Sequence, residues 1–268
     1  MTGFVIAIPS YRRQNVLVKC TLAYLRNCGV PDDIIHIFVV SEEEDSYKMA
    51  VAASGGGNYS FHIGPVGLDK MRNFITDFFP EGTNILSMDD DIRYLVYMEE
   101  DRSVTDKKSC RRYPLFRLSG TDFLSWTETA FAALALSQPP TKLFGVYPIR
   151  NGYFMKTLPY VTFDLRFCVG SIWGCINDHN LRVTIEEKED YERTLICFDI
   201  YGSVMRYNHI APVTSYYTTP GGMQCASSKN RIEESRKSCE YLTHKFPHLC
   251  KLGRIKKNSG IHEISLTR

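Results

Sequence analysis

Residues 84–92 read NILSMDDDI, an apolar run that passes without a break into three adjacent aspartates. Ile85 to Met88 has the composition of a buried strand, and Asp89, Asp90 and Asp91 stand at its end. In an extended chain residues i and i+2 share a face, so Asp89 and Asp91 are expected to point together and Asp90 away. Two carboxylates side by side repel unless a cation compensates them. A hard divalent ion with oxygen ligands, of the kind that also bridges a diphosphate, is their natural partner. The plain structural alternative is a solvated acidic turn or a helix N-cap; the strand in front of the triplet favours the metal.

Outward from that stretch, the chain alternates strand and helix. Phe4 to Ile8, closed by Pro9, and Ile34 to Val40 are β-branched apolar runs that read as buried parallel strands. Between them Val16, Leu17, Cys20, Tyr24 and Cys28 recur at helical spacing until Gly29 and Pro31 stop the helix. A strand at Tyr59 to Ile63 and a helix at Leu68 to Phe79 complete the first ~95 residues. This alternation predicts an α/β fold with a mostly parallel central sheet flanked by helices, and ligands at the carboxyl ends of its strands. The second half reads as a helix at Ser119 to Ser137, a strand at Leu143 to Ile149 and a β-like stretch over Phe154 to Ile176. Then come a helix at Glu189 to Tyr201, a strand at Ser203 to His209, the loop TTPGG at 218–222 and a charged helix at Arg231 to Phe246. No linker interrupts it. The expectation is one domain over 1–268, with residues 1–95 as its nucleotide-binding half and a smaller β-rich extension within 96–268.

Composition narrows the class. A chain of 268 residues with 44% hydrophobic and 23% charged residues is globular throughout. With 32 Lys and Arg against 30 Asp and Glu, it is not a polyanion-coating protein, so any nucleic-acid contact must come from local basic patches. None of the nine cysteines forms a CxxC, which predicts reduced, mostly buried thiols in a cytoplasmic or nuclear protein. The start MTGFVIAIPSYRR lacks the leading positive residues and long apolar stretch of a secretion signal. No run reaches the ~18 apolar residues of a membrane span.

Two further stretches carry chemistry. In SYRRQN (10–15), Tyr11 with Arg12 and Arg13 could stack on a base and approach phosphates. In GPVGLDKMRNF (64–74), Lys70 and Arg72 lie near a helix N-terminus, whose free amides favour anions. Each alone reads equally as ordinary surface.

Together, FVIAIPSYRR (4–13), IFVVSEEED (37–45), LDKMRN (68–73) and ILSMDDDI (85–92) resemble the GT-A nucleotide-sugar glycosyltransferases. With EDYERTL (189–195), GSVMRYNHIAP (202–212) and YYTTPGG (216–222) the chain resembles more narrowly the TET/JBP-associated glycosyltransferase group. That group includes the base J-type DNA glucosyltransferases and viral and phage relatives. The resemblance implies a GT-A fold and a UDP-sugar donor, UDP-glucose by family weight, held with Mn²⁺ or Mg²⁺. Asp91 is then the last Asp of a DxD motif and a metal ligand, and Asp89 the first, at the metal and nearer the ribose or sugar. Asp90 stands beside them in the donor site. Ser10, Tyr11 and Arg12 would line the nucleoside pocket, Glu42 would read the base or ribose, and Lys70, Arg72 and Asn73 would lie near the donor. His209 is a further metal-ligand candidate, although a lone His is more often structural. Gly221 and Gly222 would let a loop close over the donor. Glu189 and Asp190 match an ED pair facing the acceptor, with Asp190 favoured as general base and Glu189 the other candidate. Two acids stabilising a helix N-terminus are the bland alternative.

The narrow resemblance also implies an inverting transfer to a hydroxymethylated pyrimidine in DNA. Segment 107–117, KKSCRRYPLFR, has five basic residues and no acid, and 229–257 has nine Lys or Arg against three Glu. Transfer to a protein side chain or a glycan is the rival. A nucleotidyltransferase would carry glycine in its first loop, which SYRRQN lacks. A non-catalytic sugar-nucleotide-binding module would have no use for a repulsive carboxylate pair.

Overall fold

Apolar residues on both faces make β1 (Val5–Pro9) a strand that can lie only inside a sheet. Ile6 and Ile8 pack into one core and Ala7 into another, all fully buried. The computed structural model describes residues 3–99, 114–214, 228–256 and 259–267. After β1 the chain runs through one helical segment: α1 (Gln14–Leu17), a π-helical turn at Val18–Leu22, and α2 (Ala23–Asn27). Gly29, in the left-handed region at φ 69°, follows its end as expected.

Strand β2 (Ile35–Val39) is followed by a helix the sequence reading did not contain, α3 (Glu44–Ala53). Its first turn is the acidic cluster itself, where Glu44 and Asp45 complement the helix dipole. Its buried face is only Tyr47 and Val51, one turn apart. Next come β3 (Ser60–Ile63), α4 (Leu68–Phe78) and β4 (Asn84–Met88).

Past the triplet, β5 (Ile92–Met98) and β6 (Leu115–Leu118) form a hairpin-like pair, and α5 (Thr121–Ala135) leads to β7 (Leu143–Val146). The stretch read as β-like resolves into a short helix α6 (Gly152–Met155) and the strands β8 (Val161–Thr162) and β9 (Ile172–Ile176). Helix α7 (Glu189–Tyr201) has the predicted bounds. The strand expected over 203–209 is shorter: β10 (Met205–Tyr207) turns at Asn208 and His209 into β11 (Ile210–Thr214). Helix α8 (Ser228–Lys245) and an unexpected hairpin, β12 (Cys250–Ile255) with β13 (His262–Leu266), end the described chain.

The main sheet has the order β3-β2-β1-β4-β9-β7-β10-β8. The first four strands are mutually parallel, while β9 runs against both β4 and β7. One face of the sheet (Ile6, Ile8, Ile35, Ile37, Leu86, Met88) meets the segment 14–27, α3 and α5. The other face (Ala7, Phe38, Ile85, Trp173, Cys175) meets Met71 and Ile75 of α4 and Cys197 of α7. This is a helix–sheet–helix sandwich with a second sheet, β11-β5-β6, beside it. The seven described cysteines are all free, and all but Cys20 are buried. Among the described residues no helix is long and apolar enough to cross a membrane.

Central strand β9 carries Gly174 where a Cβ would stand 2.1 Å from the ring of the fully buried Phe144. Gly174→Ala is therefore expected to cost about 1–3 kcal/mol through overpacking. Thermal unfolding checks this, and an unchanged Tm would mean that the ring has room to move.

Candidate active site

Parallel strands deliver their following loops to one edge of the sheet, and here three of them matter. Ser10 to Arg13 follow β1, Ser41 to Glu43 follow β2, and the triplet follows β4. The triplet is not extended. Asp89 leaves the strand and Asp90 and Asp91 form a turn into β5, so the strand alternation expected of Asp89 and Asp91 does not apply.

Backbone clamps hold that turn. Thr21, fully buried in the π-helical turn, donates its hydroxyl to the Asp89 carbonyl at 2.7 Å and accepts from the Ile92 amide at 3.0 Å. From the other side, the Asp89 amide donates to the Ser171 carbonyl at 2.8 Å. Thr21 was not read as a site residue; a threonine at a core helical position was its only signal.

The three carboxylates have different surroundings. Asp90, 4% exposed, accepts from Ser10 Oγ at 2.6 Å and from Arg13 Nη1 at 3.3 Å. The chain of donors continues: the Arg13 amide donates to Tyr47 Oη, which in turn lies 2.7 Å from Ser10 Oγ. Burial pushes the Asp90 carboxyl up to about 7 even so, and the neighbouring Asp89 and Asp91 add to the shift. Asp91 is pushed up to about 6, by burial first and then by Asp89, and its nearest guanidinium nitrogen, Arg13 Nη1, stands 3.9 Å away. Asp89 is the exposed member, and one of its oxygens accepts from Arg72 Nη2 at 2.8 Å. Asp90 thus spends its oxygens on the fold. Asp89 and Asp91 fit a divalent ion as hard, mutually repelling oxygen ligands with capacity to spare.

Ser10 therefore holds Asp90, and its oxygen is not free to line a nucleoside pocket. Tyr11 is half-buried against the α4-side core with the exposed Arg12 guanidinium 5.0 Å over its ring. Arg12 adopts a left-handed φ of 56°, and its amide donates to Glu43 Oε2 at 2.9 Å. The glutamate that reaches this loop is consequently Glu43; Glu42 is exposed and makes no such contact.

On α4, Lys70 is exposed at the surface. The amide of Leu68 at the helix start already donates to Glu186 Oε1 at 3.1 Å, so one amide expected to favour an anion has a carboxylate. Asn73 is paired within the fold. Its amide donates to the Val183 carbonyl at 2.7 Å and accepts from the Val183 amide at 3.0 Å, tying α4 to the 183 segment. His209 lies away from the triplet: its carbonyl accepts from the Met98 amide at 2.9 Å, at the far end of β5, six residues or about 20 Å beyond Ile92. Its Nε2 lies 3.0 Å from the Leu158 carbonyl and its ring packs edge-on against Tyr160. Among the described residues no three His, Cys, Asp or Glu side chains gather as a metal site. Gly221 and Gly222 lie outside the described residues, as do 107–113 of the basic segment 107–117.

Arg72 joins the triplet to the ED pair. Only 5% exposed, it donates to Ser87 Oγ at 2.6 Å, to Asp89 and to the Gly170 carbonyl at 3.2 Å, and its Nε lies 3.5 Å from Glu189 Oε1. Glu189 also pairs with Arg193 one turn along α7, so its charge is held between two guanidinium groups. Asp190 is differently placed. Its oxygens accept from the Gly170 amide at 3.1 Å and the Tyr191 amide at 2.9 Å, and burial pushes its carboxyl up to about 6. Among the described residues no cation shares its oxygens in a salt bridge. A Cβ at Gly170 would crowd this approach, standing 3.2 Å from both Asp190 Cβ and Glu189 Oε1.

Mainly parallel strands, one reversed strand beside β4 and carboxylates at the β4 end define a GT-A-type α/β fold. Solved structures share it. A mannosyltransferase from Pyrobaculum calidifontis, in complex with GDP-Man and Mn²⁺, matches 91% of this chain at 10% identity with a TM-score of 0.54. This chain spans 64% of that protein's length. Glucosyl-3-phosphoglycerate synthase from Mycobacterium tuberculosis, in complex with Mn²⁺ and UDP-Glc, matches 99% of this chain and 86% of its own, at 10% identity and a TM-score of 0.51. No protein-family model matches the chain, and no curated protein sequence does.

The two acids of α7 should separate on substitution. Glu189→Ala leaves two buried guanidinium groups undercompensated and is expected to cost about 3–5 kcal/mol. Asp190→Asn keeps an acceptor for the Gly170 amide and replaces a carboxyl that burial already disfavours as an anion, so it should cost less than about 1 kcal/mol. Denaturant unfolding of both variants measures the difference; equal losses would contradict these roles.

Proposed function

We propose that this chain is a metal-dependent, inverting glycosyltransferase that moves a sugar from a UDP-sugar, UDP-glucose first among them, to an acceptor hydroxyl. The observation that carries this reading is the bridge through Arg72. It links the half-buried Asp89, beside Asp91, to Asp190, whose carboxylate has backbone amides as partners, at the carboxyl edge of a GT-A-type sheet. The Mn²⁺ and nucleotide sugars in the similar solved proteins support it.

In this reading Asp190 takes the acceptor hydroxyl proton. The oxygen forms a bond to the anomeric carbon on the face opposite the diphosphate, and the carbon–oxygen bond to that diphosphate breaks with its electron pair leaving on UDP. A divalent ion, Mn²⁺ or Mg²⁺, bound by Asp89 and Asp91 would neutralise charge growing on the leaving group. Asp90, with Ser10, Arg13 and Tyr47, keeps the turn in place. Gly170, Arg72 and Glu189 position Asp190.

The acceptor we propose is a hydroxymethylated pyrimidine in DNA. Strand β7 runs parallel to β4, so the segment after it opens at the same edge. There Tyr153 and Phe154 are 57% and 50% exposed, with Lys156 Nζ 4.8 Å over the Tyr153 ring and Arg150 nearby in sequence. Exposed rings beside cations suit unstacked bases and phosphates. One observation favours the rival acceptors, a protein side chain or a glycan. In the basic stretch 229–257, Arg236, Lys237, Lys245 and Lys256 are all ion-paired to glutamates, which leaves less charge for phosphates.

Binding, acceptor and rate measurements test the proposal. Thermal unfolding with a panel of sugar nucleotides should show a rise that needs both Mn²⁺ and a UDP-sugar, about 2.7 kcal/mol at 100 times the dissociation constant. Asp91→Ala should abolish that rise while staying folded; a rise that survives without metal would overturn the metal assignment. Incubation with hydroxymethylated DNA, peptides and glycans then names the acceptor by mass. Asp190→Asn should bind donor and lose about 10²–10⁴-fold in transfer. Because the base must be ionised, wild-type transfer should climb as pH rises through about 6 and level above it; a rate flat from pH 5 to 8 would remove Asp190 from that role.

A further inference from the structure

The second sheet, β11-β5-β6, starts where the acidic turn ends. Tyr94 on β5 is three residues past Asp91, about 10 Å along an extended chain. Arg117 on β6 lies opposite Val96 of β5. Residues opposite one another, or two apart on a strand, share a face, so Tyr94, Val96 and Arg117 point to one side. Helix α6 packs on that side: its buried Met155 clusters with Val96, Met98 and Ala211, and Tyr94 packs against this cluster.

Two guanidinium groups meet on Tyr94. The Arg117 guanidinium carbon lies 5.0 Å over its ring, and Arg150 Nη1 donates to its hydroxyl at 3.2 Å. Both arginines are exposed. Among the described residues neither is ion-paired to a carboxylate, whereas Arg236, Lys237 and Lys245 of α8 all are. A guanidinium group stacked on a ring keeps its N–H edge for an anion, and holding it there beforehand reduces the entropy lost when a phosphate binds. Just after Arg150 in the chain, α6 presents the exposed rings of Tyr153 and Phe154, set edge to face with centroids 5.3 Å apart.

Uncompensated cations beside exposed rings are the two components of a single-strand track, in which phosphates follow the charge and bases stack on the rings. A duplex offers the same phosphates but keeps its bases from the rings. An acidic peptide offers charge without flat groups to stack. We propose that the face formed by Arg117, Tyr94, Arg150 and α6 binds unpaired DNA and holds the phosphates of nucleotides that flank the acceptor. This role rests on the DNA acceptor proposed above and adds two properties to it. The substrate is a strand and not a free nucleoside, and the second sheet is the platform on which the strand lies.

Fluorescence anisotropy tests it, using a labelled, unmodified single strand of about 12 nucleotides with no metal or sugar nucleotide present. The wild-type chain should bind this strand about 10-fold or more tightly than the matching duplex, and poly-glutamate should compete poorly. Arg117→Ala and Arg150→Ala change exposed positions, so both should keep the wild-type Tm. Each should weaken binding about 3–10-fold and lower the salt slope by about 0.7, the share of one phosphate. No binding of the strand, equal binding of the duplex, or competition by poly-glutamate equal to that of the strand would overturn the proposal. So would wild-type affinity and salt slope in both variants. No donor sugar enters these readouts. A chain that fails here yet shows the rise in Tm that needs Mn²⁺ and a UDP-sugar keeps its glycosyltransferase reading and loses only this surface.

Discussion

A guanidinium group in a protein interior must be surrounded by acceptors, and Arg72 imposes that requirement on the centre of this molecule. Its partners come from four places: Ser87 on β4, Asp89 in the turn, Gly170 before β9 and Glu189 on α7. Satisfying one buried cation therefore draws together segments from both halves of the chain. The separation between the triplet and Asp190 is set by this node, since Gly170 offers its carbonyl to Arg72 and its amide to Asp190. Arg193 extends the node by sharing Glu189 and stacking on Trp173.

Around it, three adjacent aspartates divide their labour by burial. Asp90 is the most enclosed and has Ser10 and Arg13 as partners, so it serves the loop geometry. Asp89, the least enclosed of the three, and the buried Asp91 keep oxygen capacity for a cation. Burial first, and then the crowding of like charges, raise Asp90 and Asp91 above the ordinary carboxylate range. The fold holds the turn regardless, by clamping its backbone from Thr21 on one side and Ser171 on the other. The π-helical turn at Val18–Leu22 contains the threonine that makes the first clamp.

Parts of this were legible in the residues and parts were not. The strands of the first half announced themselves because runs such as Phe4 to Ile8 and Ile34 to Val40 are apolar on both faces, which only a covered parallel sheet accommodates. Helix α7 was legible down to its ends. Helix α3 was missed because its apolar face is two residues long, and β5 because the acidic triplet obscured the strand behind it. The hairpin of β12 and β13 buries only one position in each strand, Cys250 and Ile264, so no long apolar run marked it.

The site divides the same way. Local sequence determined that carboxylates and a basic, aromatic loop stand at strand ends, because strand direction and strand-end position follow from hydrophobic patterning. Only tertiary structure decided what each side chain does. It assigned Glu43 rather than Glu42 to the loop, consumed Asn73 in a tie to Val183, and removed His209 to the far end of β5. It also set Glu189 between two arginines and gave Asp190, among the described residues, backbone partners. Those outcomes depend on hydrogen bonds between residues as much as 110 positions apart, such as Asn73 to Val183. No local pattern encodes such a pairing; it exists only once buried polar groups have to find partners in the packed interior.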